Sequence, residues 1–308
     1  MAWKKSAALA VIAGAALCIG VAVGMTGDSK PAPVPETPPV AETPVETPPA
    51  AEIPPASEPV QNTQADIQTE AAVEVVMGPE VERYDFSQPA PEREAVEKDY
   101  FADAAFVGDS RTDGFMIYSG VGCGTNLTSN GLSIFKLESK KALKIGGEKY
   151  TLLEALEREQ YGKVYLCLGV NELGVYDDEG FYQSYLSAID AIRACQPNAV
   201  IYIQGLIPLN EEDVKATNGP DYLKNDHLRV YNELMFKAAQ EKQVVFLDLY
   251  TAFADENGAL PAGASRDGVH LKKDYCQQWL AYLQSHTVDP AALGMTVEET
   301  ESEETLPA

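Results

Sequence analysis

Four short, almost wholly apolar runs punctuate the central part of the chain: residues 104–108 (AAFVG), 163–169 (KVYLCLG), 199–205 (AVIYIQG) and 243–249 (QVVFLDL). Their length, their β-branched and aromatic content and their lack of polar alternation are those of strands buried on both faces. Helix-like stretches separate them, over residues 152–159, 180–195, 222–242 and 273–285. In the second of these, Phe181, Tyr185, Leu186, Ile189 and Ile192 recur at helical spacing and mark one apolar face. Strands alternating with helices predict an α/β fold with a doubly wound parallel sheet. The glycine-rich stretch 120–147 predicts one further short strand, and no internal repeat is visible.

The ends of the chain follow other patterns. Lys4 and Lys5 precede an unbroken apolar run over residues 7–25, which as a helix is about 28 Å long and matches a bilayer core. It reads as a signal anchor, or as a signal peptide cut after the small residues Ala22-Val23-Gly24. Cys18 follows Leu17 rather than a small residue, which disfavours a lipoprotein. Either reading puts the rest of the chain in an extracytoplasmic location, tethered by an N-terminal membrane anchor or secreted. Residues 26–96 are dominated by Pro, Glu, Ala and Thr and bury too little apolar surface to offset the entropy of ordering, so a disordered spacer is expected. Residues 288–308 form an acidic tail of the same kind. The folded domain is thereby expected over residues 97–287, long enough for one core.

A formal charge of −24 excludes nucleic acid and anionic lipid as natural partners. The cysteines at 123, 167, 195 and 276 allow one or two disulfides in an oxidising compartment. Cys167, inside an apolar run, reads better as a small buried hydrophobe, and without a CxxC spacing no zinc site is expected.

In doubly wound folds the working groups gather at the carboxyl ends of the strands. The first run ends in Gly108-Asp109-Ser110-Arg111, where a serine at a sharp strand-to-helix turn can raise its hydroxyl from the sheet. The same Asp-Ser pair also reads as an ordinary helix N-cap. The second run ends in Gly169-Val170-Asn171-Glu172, and an asparagine amide there can face a developing oxyanion, although turn capping explains it equally. Before the last helix stands Asp267-Gly268-Val269-His270, a carboxylate close enough to fix the tautomer of a histidine base. His227 and His286 read as structural or exposed.

With these residues in this order, the chain resembles the SGNH (GDSL-type) hydrolase family from Phe106 to about Leu283. The resemblance implies a three-layer α/β/α, flavodoxin-like parallel sheet. It implies Ser110 as nucleophile, with Asp267 and His270 completing a catalytic triad. It also implies an oxyanion hole made by the Ser110 amide, a glycine amide and the Asn171 side chain. Gly131 is the choice for that glycine, with Gly122 and Gly124 as rivals. Arg111 and Glu172 depart from the family's leucine and aspartate, and neither position transfers a proton. The implied activity is a serine esterase acting on a small ester, and needs no cofactor or metal; the extracytoplasmic location makes an acylated, cell-surface or extracellular glycan the expected substrate. An O-acyltransferase using the same site, or an inactive glycan-binding domain, are the alternatives.

Overall fold

The computed structural model describes residues 82–295. The N-terminal apolar run, most of the spacer and the end of the acidic tail lie outside the described residues. Among the described residues no helix is long and apolar enough to cross a membrane.

The described residues form seven strands and seven α-helices, with at least one helix between each pair of successive strands of the main sheet. The main sheet is built from β1 (Ala104–Gly108), β2 (Thr125–Thr128), β5 (Lys163–Cys167), β6 (Val200–Gln204) and β7 (Val245–Leu247), in the order β2-β1-β5-β6-β7. Every neighbouring pair is parallel. This is the flavodoxin-like order, with its reversal of direction between β1 and β5. The four apolar runs supply four of the five strands. The fifth, β2, arises from the glycine-rich stretch, which also carries an antiparallel hairpin of β3 (Leu143–Ile145) and β4 (Glu148–Tyr150).

The helices are α1 (Ser110–Tyr118), α2 (Leu152–Leu156), α3 (Asp178–Cys195), α4 (Glu211–Ala216), α5 (Asn225–Lys242), α6 (Leu249–Phe253) and α7 (Lys273–Ser285). α1 packs on α7, while α3 packs on α5 and α2. Right-handed crossovers leading in opposite directions from β1 place these two groups on opposite faces of the sheet, giving three layers. The expected three-layer α/β/α architecture is therefore the one observed.

Register explains part of the core. Phe106, Tyr165 and Tyr202 are successive cross-strand partners, all fully buried. Their rings stack at 5.2 Å and 4.6 Å, a ladder that binds the three central strands together. On the same side Trp279 of α7 packs against Phe115 of α1 at 4.9 Å and donates its indole N–H to Gln204 Oε1 at 2.9 Å.

The ordered fold begins earlier than the expected boundary at residue 97. The Ala90 amide donates to Phe246 O at 2.9 Å along the edge strand β7, and Ala90 is buried. Arg93 N and Val96 N donate to Ser285 O and Gln284 O at 2.7 Å and 2.9 Å. Tyr84 N reaches Ala292 O at 3.1 Å, so residues from both the expected spacer and the expected tail pack on the domain. Backbone pairing of this kind leaves no mark on composition. Cys123, Cys167, Cys195 and Cys276 are all free thiols; Cys167 and Cys276 are buried, and burial pushes their pKa values up to about 12 and about 11.

Candidate active site

β1 and β5 flank the point where the strand order reverses, and the loops after them converge there. After β1 the chain turns sharply at Gly108, where a Cβ would lie 2.0 Å from Thr112 Oγ1 and 2.8 Å from Cys167 O. Only glycine lets the backbone pass so close to β5 and the first turn of α1. Asp109 then caps α1, its Oδ1 accepting from the Arg111 amide at 2.9 Å. Ser110 becomes the first helical residue, with its hydroxyl at the carboxyl edge of the sheet. The capping reading and the nucleophile reading of Asp-Ser are thus compatible: the aspartate caps, and the serine is presented.

Ser110 Oγ lies 2.9 Å from His270 Nε2. On the other side of the ring, His270 Nδ1 lies 2.7 Å from Asp267 Oδ2. Asp267 Oδ1 accepts from the amides of Val269 and His270 at 3.0 Å and 2.8 Å. Partial burial pushes the Asp267 carboxyl upward, but the hydrogen bonds from the His270 backbone and ring and from the Val269 amide outweigh it and hold the group below the usual carboxylate range. An ionised carboxylate accepts only, so Nδ1 carries the proton and Nε2 offers its lone pair to Ser110. Gly268 makes the tight turn possible: its φ is +84°, and a Cβ there would lie 2.3 Å from Asn210 O. The Asn210 amide reaches back to Gly268 O at 2.9 Å, anchoring this loop to the segment after β6.

After β5, Asn171 Nδ2 donates to Asp109 Oδ2 and to Leu132 O, both at 3.1 Å. The turn 129–132 is also tied to the end of β1, since Ser129 N donates to Gly108 O at 3.1 Å. Gly131 therefore belongs to a turn that touches both the Ser110 strand end and Asn171. Gly124 lies at the opposite edge, where a Cβ would meet Phe101 O and Ala104 O at the start of β1, and Gly122 stands two residues before it.

Three neighbours that sequence reasoning assigns no part in the chemistry are buried beside the site. Asp109 is buried, which raises its pKa despite the helix amide and the Arg111 charge. Glu172 is buried behind Asn171; its Oε1 accepts from Ile134 N at 2.6 Å while Oε2 has no partner. Burial, aided by the Asp109 charge, pushes Glu172 up to about 7 although hydrogen bonds from Ser133 and Ile134 oppose the rise. Arg111 is buried too, with Nη1 donating to Ile207 O at 3.0 Å and Nη2 without an acceptor. Asp109 had a visible signal as an N-cap; the burial of Glu172 and Arg111 depends on long-range packing that local pattern does not carry.

The other two histidines stand apart from Ser110. His227 bridges Leu173 O and Asp178 Oδ1, both at 2.8 Å. His286 stacks on Tyr282 with ring centres 3.7 Å apart.

A doubly wound sheet with a Ser-His-Asp hydrogen-bond chain at its carboxyl edge is an arrangement that serine hydrolases use. The profile of the GDSL-like Lipase/Acylhydrolase family matches residues 106–274, over half of the chain, and the chain belongs to that family. No curated protein matches it. Among solved structures it is similar to a GDSL-like lipase from Bacteroides thetaiotaomicron, at 14% identity and a TM-score of 0.43, over 59% of this chain and 86% of that one. A hydrolase from the metagenome of Lake Arreo, Spain, gives 13% and 0.42 over 68% and 99%. A peptidoglycan O-acetylesterase gives 18% and 0.41 over 53% and 45%.

Proposed function

We propose that this chain is an extracytoplasmic serine esterase that removes small acyl groups, acetyl foremost, from a cell-surface or extracellular glycan by a Ser-His-Asp mechanism. The observation that carries the reading is the continuous hydrogen-bond chain from Ser110 through His270 to Asp267, at 2.9 Å and 2.7 Å. His270 Nε2 takes the hydroxyl proton as Ser110 Oγ attacks the ester carbonyl. Asp267 stabilises the imidazolium that results. The tetrahedral oxyanion is held by the Ser110 amide, the Gly131 amide and the Asn171 side chain, each a donor already fixed before reaction. For Asn171 this means sharing a hydrogen now given to Asp109 or Leu132. His270 then returns the proton to the leaving alcohol, and water clears the acyl-enzyme by the same steps in reverse order of roles. The extracytoplasmic setting rests on the lysine-led apolar run at residues 7–25 and the Pro/Glu-rich stretch behind it, and the glycan rests on that setting.

The test is hydrolysis of p-nitrophenyl acetate, butyrate and octanoate by the full chain and by Ser110→Ala. Turnover by the parent, steepest for acetate and lost in the variant, supports the reading. Equal rates in parent and variant overturn it.

A further inference from the structure

A cavity of about 260 Å³ opens beside the nucleophile, with Ser110 and His270 in one wall and Ile117, Tyr118, Asn130 and Arg266 around it. Its charges are unevenly matched. Arg266 is exposed and forms neither a salt bridge nor a side-chain hydrogen bond among the described residues, its guanidinium lying 5.5 Å from the centre of the Tyr118 ring. Arg111 lines the same cavity from below, buried and with Nη2 unmatched. The carboxylate in the wall, Asp113, is already engaged: its Oδ1 accepts from Asn126 Nδ2 and Thr128 Oγ1 at 3.1 Å and 3.2 Å. Asp109 and Asp267 lie near Arg111, but each has both carboxylate oxygens committed, to Arg111 N and Asn171, and to the Val269 and His270 groups. The cavity thus presents one free guanidinium, that of Arg266, at its rim, in a chain whose formal charge is −24.

We infer that this cavity is a subsite for a carboxylate on the alcohol half of the ester, with Arg266 as the group that contacts it, so that the substrate is an ester of an acidic, carboxylated glycan. The alcohol half is the one placed here because His270, which protonates the leaving alcohol, forms part of the same wall. Arg266 offers a planar fork of donors matched to a carboxylate. Ile117 and Tyr118 supply an apolar and aromatic edge for the body of the sugar. The net negative charge of the chain repels anions at long range, so an acidic ligand would need a local cation such as Arg266. The inference rests on Ser110 being the nucleophile of an esterase.

Two substrates that differ only in charge test it: 4-acetoxybenzoate and its neutral methyl ester, methyl 4-acetoxybenzoate, each assayed for acetate release by the full chain. The expected result is a preference for the anion that shrinks with added salt. In Arg266→Ala the kcat/KM for the anion should fall about tenfold or more, through KM, as loss of a charge-assisted hydrogen bond implies. The neutral ester should be untouched, which also certifies the fold of the variant. No preference in the parent, or an equal fall on both esters, overturns the subsite while leaving the esterase reading standing. If neither ester is turned over, the esterase reading is what fails. The subsite is then judged by binding of 4-hydroxybenzoate to the parent, where binding lost in Arg266→Ala upholds it and absence of binding overturns it.

Discussion

Asp109 and Asn171 are joined across the sheet's reversal point: Asp109 Oδ2 accepts from Asn171 Nδ2 at 3.1 Å while Oδ1 caps α1 at the Arg111 amide. One buried carboxylate therefore sets both the turn that presents Ser110 and the amide that follows β5. In Asp109→Asn the cap oxygen can remain, but the second position becomes an NH2 group facing the NH2 of Asn171. Two donors cannot pair, so Asn171 must turn away. Asn171→Ala should lower kcat about 10²–10³-fold, as loss of an oxyanion donor does. Asp109→Asn should lower kcat by at least about tenfold, and the double variant should be no worse than Asn171→Ala alone. Additive losses in that cycle would separate the two residues.

Asp267 governs the tautomer of His270. Asp267→Asn leaves the carbonyl oxygen free to hold the Val269 and His270 amides, at 3.0 Å and 2.8 Å in the parent. Its NH2 then faces Nδ1 and favours a proton on Nε2, the wrong nitrogen for accepting from Ser110. The expected outcome is a fall in kcat of about 10³–10⁴ with the melting temperature nearly unchanged. A loss under tenfold would show that the ring finds its tautomer without Asp267.

What the sequence reveals follows from how local each signal is. Ser110, Asn171, Asp267 and His270 could be singled out because each sits at the end of an apolar run or the start of a helix, where a doubly wound sheet gathers its chemistry. β1, β5, β6 and β7 were legible because strands covered on both faces must be apolar throughout. β2 (TNLT) was legible only as an unplaced short strand within residues 120–147, since only Leu127 in it is buried. The packing of Tyr84, Ala90 and Val96 on the domain was illegible for a different reason: their backbone partners lie near or beyond position 246, and composition around them matches the spacer. Arg266 carries no local signal; only the fold sets it beside Ser110.

Gly108 gives a stability test of the close approach between β1, β5 and α1. In Gly108→Ala the added methyl meets a backbone carbonyl, Cys167 O, at 2.8 Å, and the Thr112 side chain, itself fully buried, has no room to withdraw. Overpacking of this kind costs about 1–3 kcal/mol. Chemical denaturation should show that loss together with reduced esterase activity, because relief of the clash must shift Ser110. A Gly108→Ala variant as stable as the parent would mean the turn can widen freely.

Glu172 gives the protein a pH-dependent stability with an unusual sign. Its carboxyl is pushed up to about 7 in the folded state against an ordinary value of 4.5. Below the ordinary value both states hold the proton and the group is neutral in the balance. As pH rises from there towards about 7, the unfolded chain releases the proton while the folded chain retains it, so the folded state binds more protons and stability falls. Above about 7 the full penalty is present, on the order of 3 kcal/mol for a shift of this size. Glu172→Gln keeps an oxygen for the Ile134 amide and cannot ionise. The variant's stability relative to the parent should therefore improve between pH 5 and pH 8 by up to about 3 kcal/mol. Urea melts of both proteins at the two pH values measure that difference directly, and a difference independent of pH would mean Glu172 titrates as an ordinary carboxylate. Activity of the parent at alkaline pH should also be more sensitive to urea than that of the variant.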